Sequence, residues 1–213
     1  MYMEIILFLP ILFFSIVLHE FAHGYAAYRL GDDTAYYSGR LTLNPIKHVD
    51  PVGTLAVPLF CHFIGFPIFG WARPVPVNPM KFPSPRRDMG KVALAGPLTN
   101  LALAIVCVLV MKVLLIFRQQ IPYSTLETLF SLLQYGMTIN VILAVFNLMP
   151  IAPLDGGRIV AALLPLKAAY IYDAFLARWG MWVVIGLVAT GAVKYILFPP
   201  ASFIVGLFSK FLM

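Results

Sequence analysis

His19, Glu20 and His23 lie within five residues of one another in the segment 14–28, FSIVLHEFAHGYAAY. Histidines four residues apart share one face of a helix, so both imidazoles can reach a single metal ion. Zinc lowers the pKa of a bound water to about 7, and a carboxylate beside the first histidine can then take its proton. The spacing therefore predicts a zinc site with Glu20 as a general base.

The chain around these residues is apolar enough to lie in a membrane. Of the 213 residues, 61% are hydrophobic and 11% are charged, whereas a soluble domain is nearer half apolar and a quarter charged. An ionisable side chain in the middle of a membrane helix costs about 2.5–3.5 kcal/mol. That cost favours a functional role over a chance match to a short motif. The net charge of +6 fits basic loops that flank membrane segments, and no nucleic-acid-binding motif is present.

The hydrophobic pattern predicts an all-α polytopic membrane protein with about five to six transmembrane or re-entrant segments. Proline and glycine interrupt the second apolar run, so this run is predicted to be either a kinked span or a re-entrant hairpin. We expect one domain over 1–213, with a catalytic core at about 4–165 and C-terminal membrane segments at about 175–213. The apolar runs cover residues 4–28, 52–70, 92–117, 128–149, 179–197 and 201–213, and Pro199–Pro200 separate the last two.

Two loops differ from the apolar runs. Residues 36–43, YYSGRLTL, are β-prone and partly polar, which predicts a short strand or hairpin after the first helix. The exposed edge of such a strand could pair with an extended peptide. The loop 71–91 contains Arg73, Lys81, Arg86, Arg87 and Lys91, and this excess of positive charge predicts a cytoplasmic location.

A catalytic zinc site requires a third protein ligand and one open position. The candidates are Asp50, Asp155, His48 and His62. Prolines precede Asp155 and two glycines follow it, so its carboxylate could lie on an unwound segment at membrane depth. The same aspartate could equally cap the helix that follows. Local chemistry alone leaves these alternatives open.

Two motifs together resemble the site-2 protease family of intramembrane zinc metalloproteases, peptidase family M50. They are HEFAH at 19–23 and NLMPIAPLDGG at 147–157. The second matches N-x-x-P-x-x-x-L-D-G through Asn147, Pro150, Leu154, Asp155 and Gly156. The segment AGPLTN resembles a recurrent segment of the family, and the segments GRLTLNPIKHVDPVGT and GWARPVPVNP resemble its small, minimal members. We therefore expect no PDZ or CBS domain. The resemblance covers most of residues 14–165.

The resemblance implies a role for each polar residue of the two motifs. The implied ligands of one zinc ion per chain are His19, His23 and Asp155, with Glu20 as the general base. Asn147 matches the family's active-site asparagine, and an amide N–H can stabilise an oxyanion. An interhelical hydrogen bond is the alternative use of an asparagine in a membrane. Three further residues are predicted to position substrate: Asn100, Thr42 and His48.

The predicted function is hydrolysis of peptide bonds in or near the transmembrane segments of other proteins. The expected partners are single-span membrane protein substrates and the lipid bilayer. The expected location is the bacterial or archaeal cell membrane, as a multi-pass protein. A zinc transporter and a catalytically inactive membrane scaffold are the alternatives. A transporter would not need Glu20 beside the histidines.

Overall fold

Eight α-helices make up most of the computed structural model, which describes residues 2–63 and 71–212. The side chains of residues 2–9, 55, 58 and 62 lie outside the described part. Short 3₁₀ turns at Pro45–His48 and Pro79–Lys81 and a π-helix at Pro51–Ala56 complete the elements. The helices are α1 (Tyr2–Arg29), α2 (Thr34–Tyr37), α3 (Val57–Phe63), α4 (Pro85–Ile116), α5 (Tyr123–Asn147), α6 (Asp155–Leu163), α7 (Leu166–Ala189) and α8 (Val193–Leu212).

Four of these helices are long and apolar enough to cross a membrane, judged by length and composition: α4, α5, α7 and α8. The 28 residues of α1 span about 42 Å at ~1.5 Å per residue, which also exceeds the ~30 Å of a bilayer core. The chain is an integral, multi-pass membrane protein. Among the described residues, this confirms the all-helical fold class, while the predicted number of five to six segments stays a prediction.

Helix α4 occupies the centre of the bundle and packs against α1, α5 and α6. Its C-terminal half forms a buried apolar cluster with α5 and α8. This cluster fixes the distance between α4 and α5, which matters for the buried polar residues nearer the middle of both helices. The buried members are Ala104, Val108, Met111, Met137, Val141 and Ala201.

The described residues on the two sides of the second apolar run are hydrogen-bonded to each other. The backbone N–H of Trp71 donates to the carbonyl of Gly53 at 3.1 Å, and that of Arg73 donates to the carbonyl of His48 at 2.9 Å. The Thr54 hydroxyl donates to the carbonyl of Trp71 at 2.9 Å. Because the two ends of the run are hydrogen-bonded to each other, these contacts favour the re-entrant alternative over a single crossing.

The strand predicted at 36–43 is wrong: the described residues contain no strand, and helix α2 begins at Thr34. The Asp32 carboxylate accepts hydrogen bonds from the backbone N–H and the hydroxyl of Thr34, which favours a helical turn at that point. Gly39 then turns the chain with φ of +66°. A β-prone sequence needs a neighbouring strand to pair with, and none lies beside this segment in the described part of the chain.

The predicted helix break at Pro199–Pro200 is also wrong, because both prolines lie inside α8. The chain breaks instead between α7 and α8, where Gly191 has φ of +71° and donates its N–H to the carbonyl of Val188. A positive φ at glycine ends a helix without strain. Each proline removes only one helical donor, a loss that membrane helices tolerate.

Candidate metal centre

Three ligand-type atoms converge where α1 meets α6. His19 and His23 lie one turn apart on α1, and their Nε2 atoms are 3.0 Å from each other. Asp155 Oδ2 lies 3.1 Å from Nε2 of His19 and 3.2 Å from Nε2 of His23. All three residues are buried. Among the described residues this is the one group of His, Cys, Asp and Glu placed to hold a metal ion.

The turn between α5 and α6 places Asp155. Helix α5 ends at Asn147 and α6 begins at Asp155, which confirms that Pro150 and Pro153 interrupt the helix. The turn closes on itself through the N–H of Leu154, which donates to the carbonyl of Ile151 at 2.9 Å. Gly156 lies so close to the end of α5 that a methyl group there would be 2.3 Å from the carbonyl oxygen of Leu148. The glycine is therefore needed to bring the carboxylate to α1.

The opposite ring nitrogen of each histidine has its own hydrogen-bond acceptor on α4. His23 Nδ1 donates to the carbonyl oxygen of Val92 at 2.7 Å, and His19 Nδ1 donates to Oδ1 of Asn100 at 2.6 Å. Proteins orient metal-ligating histidines with outer partners of this kind. With the proton on Nδ1, a neutral imidazole presents the lone pair of Nε2 to Asp155.

The three converging atoms fit a divalent cation. Asp155 Oδ2 is buried and has no hydrogen-bond donor within the described residues, and both Nε2 atoms present lone pairs to it. One proton cannot satisfy three acceptors that face one point, whereas a cation can. Two zinc–nitrogen bonds of ~2.0–2.1 Å at a tetrahedral angle separate their ligand atoms by about 3.3 Å, close to the three distances observed. A His₂Asp set leaves a fourth position open, as in catalytic zinc sites.

Gly96 on α4 lies directly against the two imidazole rings. A methyl group at this position would be 2.5 Å from Nε2 of His23 and 2.6 Å from Nε2 of His19. Real side chains do not approach atoms this closely, so the rings would have to shift. The absence of a side chain at position 96 is therefore a condition for the geometry of the site.

Glu20 is half-buried and follows His19 on α1. Its Oε2 accepts the backbone N–H of Val75 at 2.9 Å. The buried side chain of Val75 packs over Gly24, where an added methyl group would lie 2.9 Å from it. The segment 71–78 thus crosses α1 beside Glu20, and one backbone N–H fixes the orientation of the carboxylate.

Asp32 and Arg40 anchor this crossing segment at its two ends. Asp32 accepts the backbone N–H of Asn78 at 2.6 Å, and Arg40 donates to the carbonyl oxygens of Arg73 and Pro74. Burial by itself would raise the pKa of Asp32, but the hydrogen bonds from Thr34 and Asn78 outweigh it and hold the pKa below its ordinary value. Asp32 therefore stays ionised and retains its bond to the segment.

The family of the chain follows from its match to known proteins. The model of "Peptidase family M50" matches residues 7–187. The chain belongs to peptidase family M50. This M50 chain is 40% identical over 189 residues to a Bacillus subtilis protein named "Putative zinc metalloprotease YwhC", covering 87% of the chain and 81% of the relative. No solved structure matches it.

More distant relatives of the chain include a Mycolicibacterium smegmatis protein named "Putative zinc metalloprotease Rip2", 33% identical over 185 residues. That match covers 84% of the chain and 65% of the relative. "Zinc metalloprotease MJ0392" of Methanocaldococcus jannaschii is 29% identical over 168 residues, which are 78% of the chain and 37% of the relative. The shared zinc metalloprotease names agree with a metal centre in this chain.

The other candidates for the third ligand have different surroundings. Asp50 Oδ1 accepts the backbone N–H groups of Val52 and Gly53 at 2.9 and 2.7 Å, and so caps the π-helix. His48 is fully buried, and its Nε2 donates to the carbonyl of Thr42 at 2.9 Å. In the described part of the chain no hydrogen bond or ion pair joins these residues to the converging atoms. The side chain of His62 lies outside that part.

The residues predicted to act on substrate occupy three different places. Asn100 lies behind His19 at the metal centre, whereas Thr42 and His48 bond each other in the loop after α2. Asn147 is half-buried at the last turn of α5, and its Nδ2 donates to the carbonyl of Leu143 at 3.0 Å. Their roles toward substrate stay predictions.

Sequence reasoning missed four residues that contact the site or its partners: Gly96, Val75, Ser15 and Asn140. Asn140 carried a usable signal, because it is a polar residue in the middle of an apolar run. Gly96 stands beside Pro97 in the segment AGPLTN, but only Asn100 of this segment was predicted to have a role. The contact of Val75 with Glu20 joins residues 55 positions apart, and no local pattern encodes it.

Proposed function

We propose that the chain is an intramembrane zinc metalloprotease that hydrolyses peptide bonds in or near the transmembrane segments of other membrane proteins. The observation that supports this most strongly is the convergence of His19, His23 and Asp155 within hydrogen-bonding distance, next to Glu20 on the same helix. Membership of a peptidase family and a bundle of membrane-length helices agree with it. One zinc ion per chain would be held by the two histidines and the aspartate.

The chain's own groups would move the protons of the reaction. A zinc ion held there supplies Lewis acidity, which polarises a substrate carbonyl and lowers the pKa of water. The Glu20 carboxylate accepts a proton from the attacking water and then donates it to the nitrogen of the leaving amine. The backbone N–H of Val75 already donates to Glu20 Oε2. We therefore propose that Oε1 is the oxygen that accepts the proton. The amide of Asn147 is the proposed donor to the oxyanion.

Single-span membrane proteins are the proposed substrates because the site lies within a helical membrane bundle. A transmembrane helix uses its carbonyl groups in internal hydrogen bonds. We therefore expect substrates with a helix-breaking glycine or proline near the cut to be hydrolysed faster than uninterrupted helices. A substrate pair that differs only in such a residue tests this preference.

The experiment that tests the proposed function compares the wild-type protein with Glu20→Gln. The substitution preserves size but removes the proton acceptor. Reconstituted with a single-span protein, the wild type should release two fragments, with a cut in or near the membrane segment located by mass spectrometry. Glu20→Gln should lose at least about a hundredfold in rate, within the ~10²–10⁴ contribution of general acid–base catalysis, while it retains its zinc.

Two results would argue against this function. Equal cleavage by the wild type and Glu20→Gln would mean that another group serves as the base or that a contaminant cuts the substrate. Zinc movement into liposomes without any cleavage would favour the transporter alternative. The matched control is Glu127→Gln, since Glu127 lies on α5 far along the chain from both ligand motifs.

A further inference from the structure

Three buried polar side chains, one from each of three helices, lie on the Nδ1 side of His19. They are Ser15 on α1, Asn100 on α4 and Asn140 on α5, and each is at most 3% exposed. Asn100 Nδ2 donates to Asn140 Oδ1 at 2.8 Å, and Asn140 Nδ2 donates to Ser15 Oγ at 3.0 Å. The contacts form one continuous chain of hydrogen bonds that ends at the ring of His19.

Backbone carbonyls at the far end give this chain a single direction. The Ser15 hydroxyl donates to the carbonyl of Ile11 at 2.8 Å, so its remaining lone pairs can only accept. Asn140 Nδ2 also donates to the carbonyl of Gly136 at 2.8 Å. A carbonyl oxygen has no hydrogen to give, so the NH₂ group of Asn140 must face Ser15 and Gly136. Its Oδ1 must therefore face Asn100.

The direction is passed on to His19. Because Asn140 presents an oxygen, Asn100 must present its NH₂ group to it, and Asn100 Oδ1 is left facing His19 Nδ1 at 2.6 Å. A flipped Asn100 amide would place two oxygens against each other and leave an NH₂ group against the ring. The proton of a neutral His19 is thus held on Nδ1, and Nε2 keeps the lone pair that a metal needs.

We infer that Asn140 is a positioning residue that sets the tautomer of His19 through Asn100, although its own hydrogen bonds go to Asn100, Ser15 and Gly136 and not to the histidine. The inference rests on the proposed zinc site and adds to it the residue that orients Asn100. His23 provides an internal contrast, because its Nδ1 donates straight to the backbone carbonyl of Val92. No side-chain substitution can flip that acceptor, so loss of Asn140 acts on His19 alone.

Asn140→Leu is the first test, since leucine fills a similar volume but removes the acceptor at 2.8 Å from the Asn100 amide and leaves it only the backbone carbonyl of Ser15 at 3.5 Å. We expect zinc affinity, measured by competition with a chromogenic chelator, to fall by about tenfold, at the low end of the ~10–100-fold cost of losing an outer partner. Asn100→Leu should cost at least as much. Val141→Ala is the matched control: it loosens the buried α4–α5 contact without touching the chain of hydrogen bonds. It should lower the melting temperature and leave zinc affinity unchanged.

An Asn100→Asp background separates a positioning role from a merely structural one. A carboxylate accepts from His19 Nδ1 in either orientation, so it needs nothing to prevent a flip. In this background the second carboxylate oxygen faces Asn140 Oδ1, so Asn140→Leu removes an opposing acceptor, and we expect it to cause no loss of zinc affinity. An equal loss from Asn140→Leu in both backgrounds would overturn the inference.

The ¹⁵N spectrum of the histidine rings gives a second readout, independent of activity and of zinc. Under alkaline conditions that keep the rings neutral, metal-free wild type should show His19 as the Nδ1–H tautomer, and metal-free Asn140→Leu should show a mixture, with His23 unchanged. An unchanged His19 spectrum together with unchanged zinc affinity in Asn140→Leu would refute the role of Asn140, even if His19→Ala abolishes zinc binding. If His19→Ala binds zinc as tightly as the wild type, the proposed metal site itself fails and takes the inference with it.

Discussion

Asp155 and Asp50 are both carboxylates near breaks in the helical pattern, yet their surroundings differ. The two backbone N–H groups that Asp50 accepts tie it to the start of the π-helix. Asp155 Oδ2 has no donor among the described residues and faces two imidazole nitrogens. A buried carboxylate oxygen that has no donor and faces other acceptors favours a cation beside it. We therefore propose that the histidines share a metal ion with Asp155 rather than with Asp50.

Asp155→Ala should consequently strip the metal, and Asp50→Ala should not. Purified wild type is expected to hold about one zinc per chain, because three protein ligands and one open position complete the site. Elemental analysis of the two variants after gel filtration gives the answer. Full zinc occupancy in Asp155→Ala would show that the ligand set is wrong.

Gly96→Ala tests whether the α4 backbone shapes the site. The added methyl group would collide with both imidazoles, so we expect zinc affinity to fall by about tenfold or more, a loss like that of an outer partner of a ligand. Gly186→Ala on α7 is the control, since nothing lies within 4 Å of a methyl group there. Unchanged zinc affinity in Gly96→Ala would mean that the rings and α4 separate more easily than the structure indicates.

The sequence alone predicted the residues that would hold the metal, but few of the residues that contact and orient them. His19, Glu20 and His23 could be found because one helical turn encodes their spacing. Nearby prolines and glycines made Asp155 a candidate ligand, but the choice of Asp155 over a helix cap came from the resemblance to the family. Asn140 and Val75 meet the site only after three helices and a crossing segment have packed together. Such contacts depend on tertiary structure, which composition and periodicity do not specify.

The connections between helices show where local signals fail. Prolines 150 and 153 mark a real break because the turn between α5 and α6 is stabilised by its own hydrogen bonds. Prolines 199 and 200 do not break a helix. The chain turns between α7 and α8 at Gly191 instead, because glycine adopts a positive φ without strain. The tyrosines at 36–37 suggest a strand, but the Asp32 carboxylate favours a helical turn and no partner strand is present in the described residues.

The contacts between residues 48–54 and 71–73 give a topology that labelling can test. We expect Tyr37→Cys and Met80→Cys, at positions 78% and 85% exposed, to react with a membrane-impermeant thiol reagent from the same side. Gln120→Cys, beyond the far end of α4, should react from the other side. The measurements use a background in which Cys61 and Cys107 are replaced by alanine. Labelling of positions 37 and 80 from opposite sides would establish a full crossing between them.

Helix α4 packs against the three helices that carry the other residues of the candidate site. Helix α4 contributes Val92, Gly96 and Asn100, spaced four residues apart along one face, and each of them contacts a histidine of α1. The same helix packs against α5, which carries Asn140, and against α6, which begins with Asp155. The candidate metal centre is thus built on an extensively packed part of the bundle, and such rigid support is what a catalytic site would need.

The most direct test of a zinc protease within this bundle is to titrate zinc back into metal-stripped wild-type protein while cleavage of a single-span substrate is followed. The stripped protein should be inactive. Activity should return in proportion to bound zinc and reach its maximum at about one ion per chain. Undiminished cleavage by the stripped protein, or one bound zinc per chain with no cleavage of any single-span substrate, would contradict the proposed function.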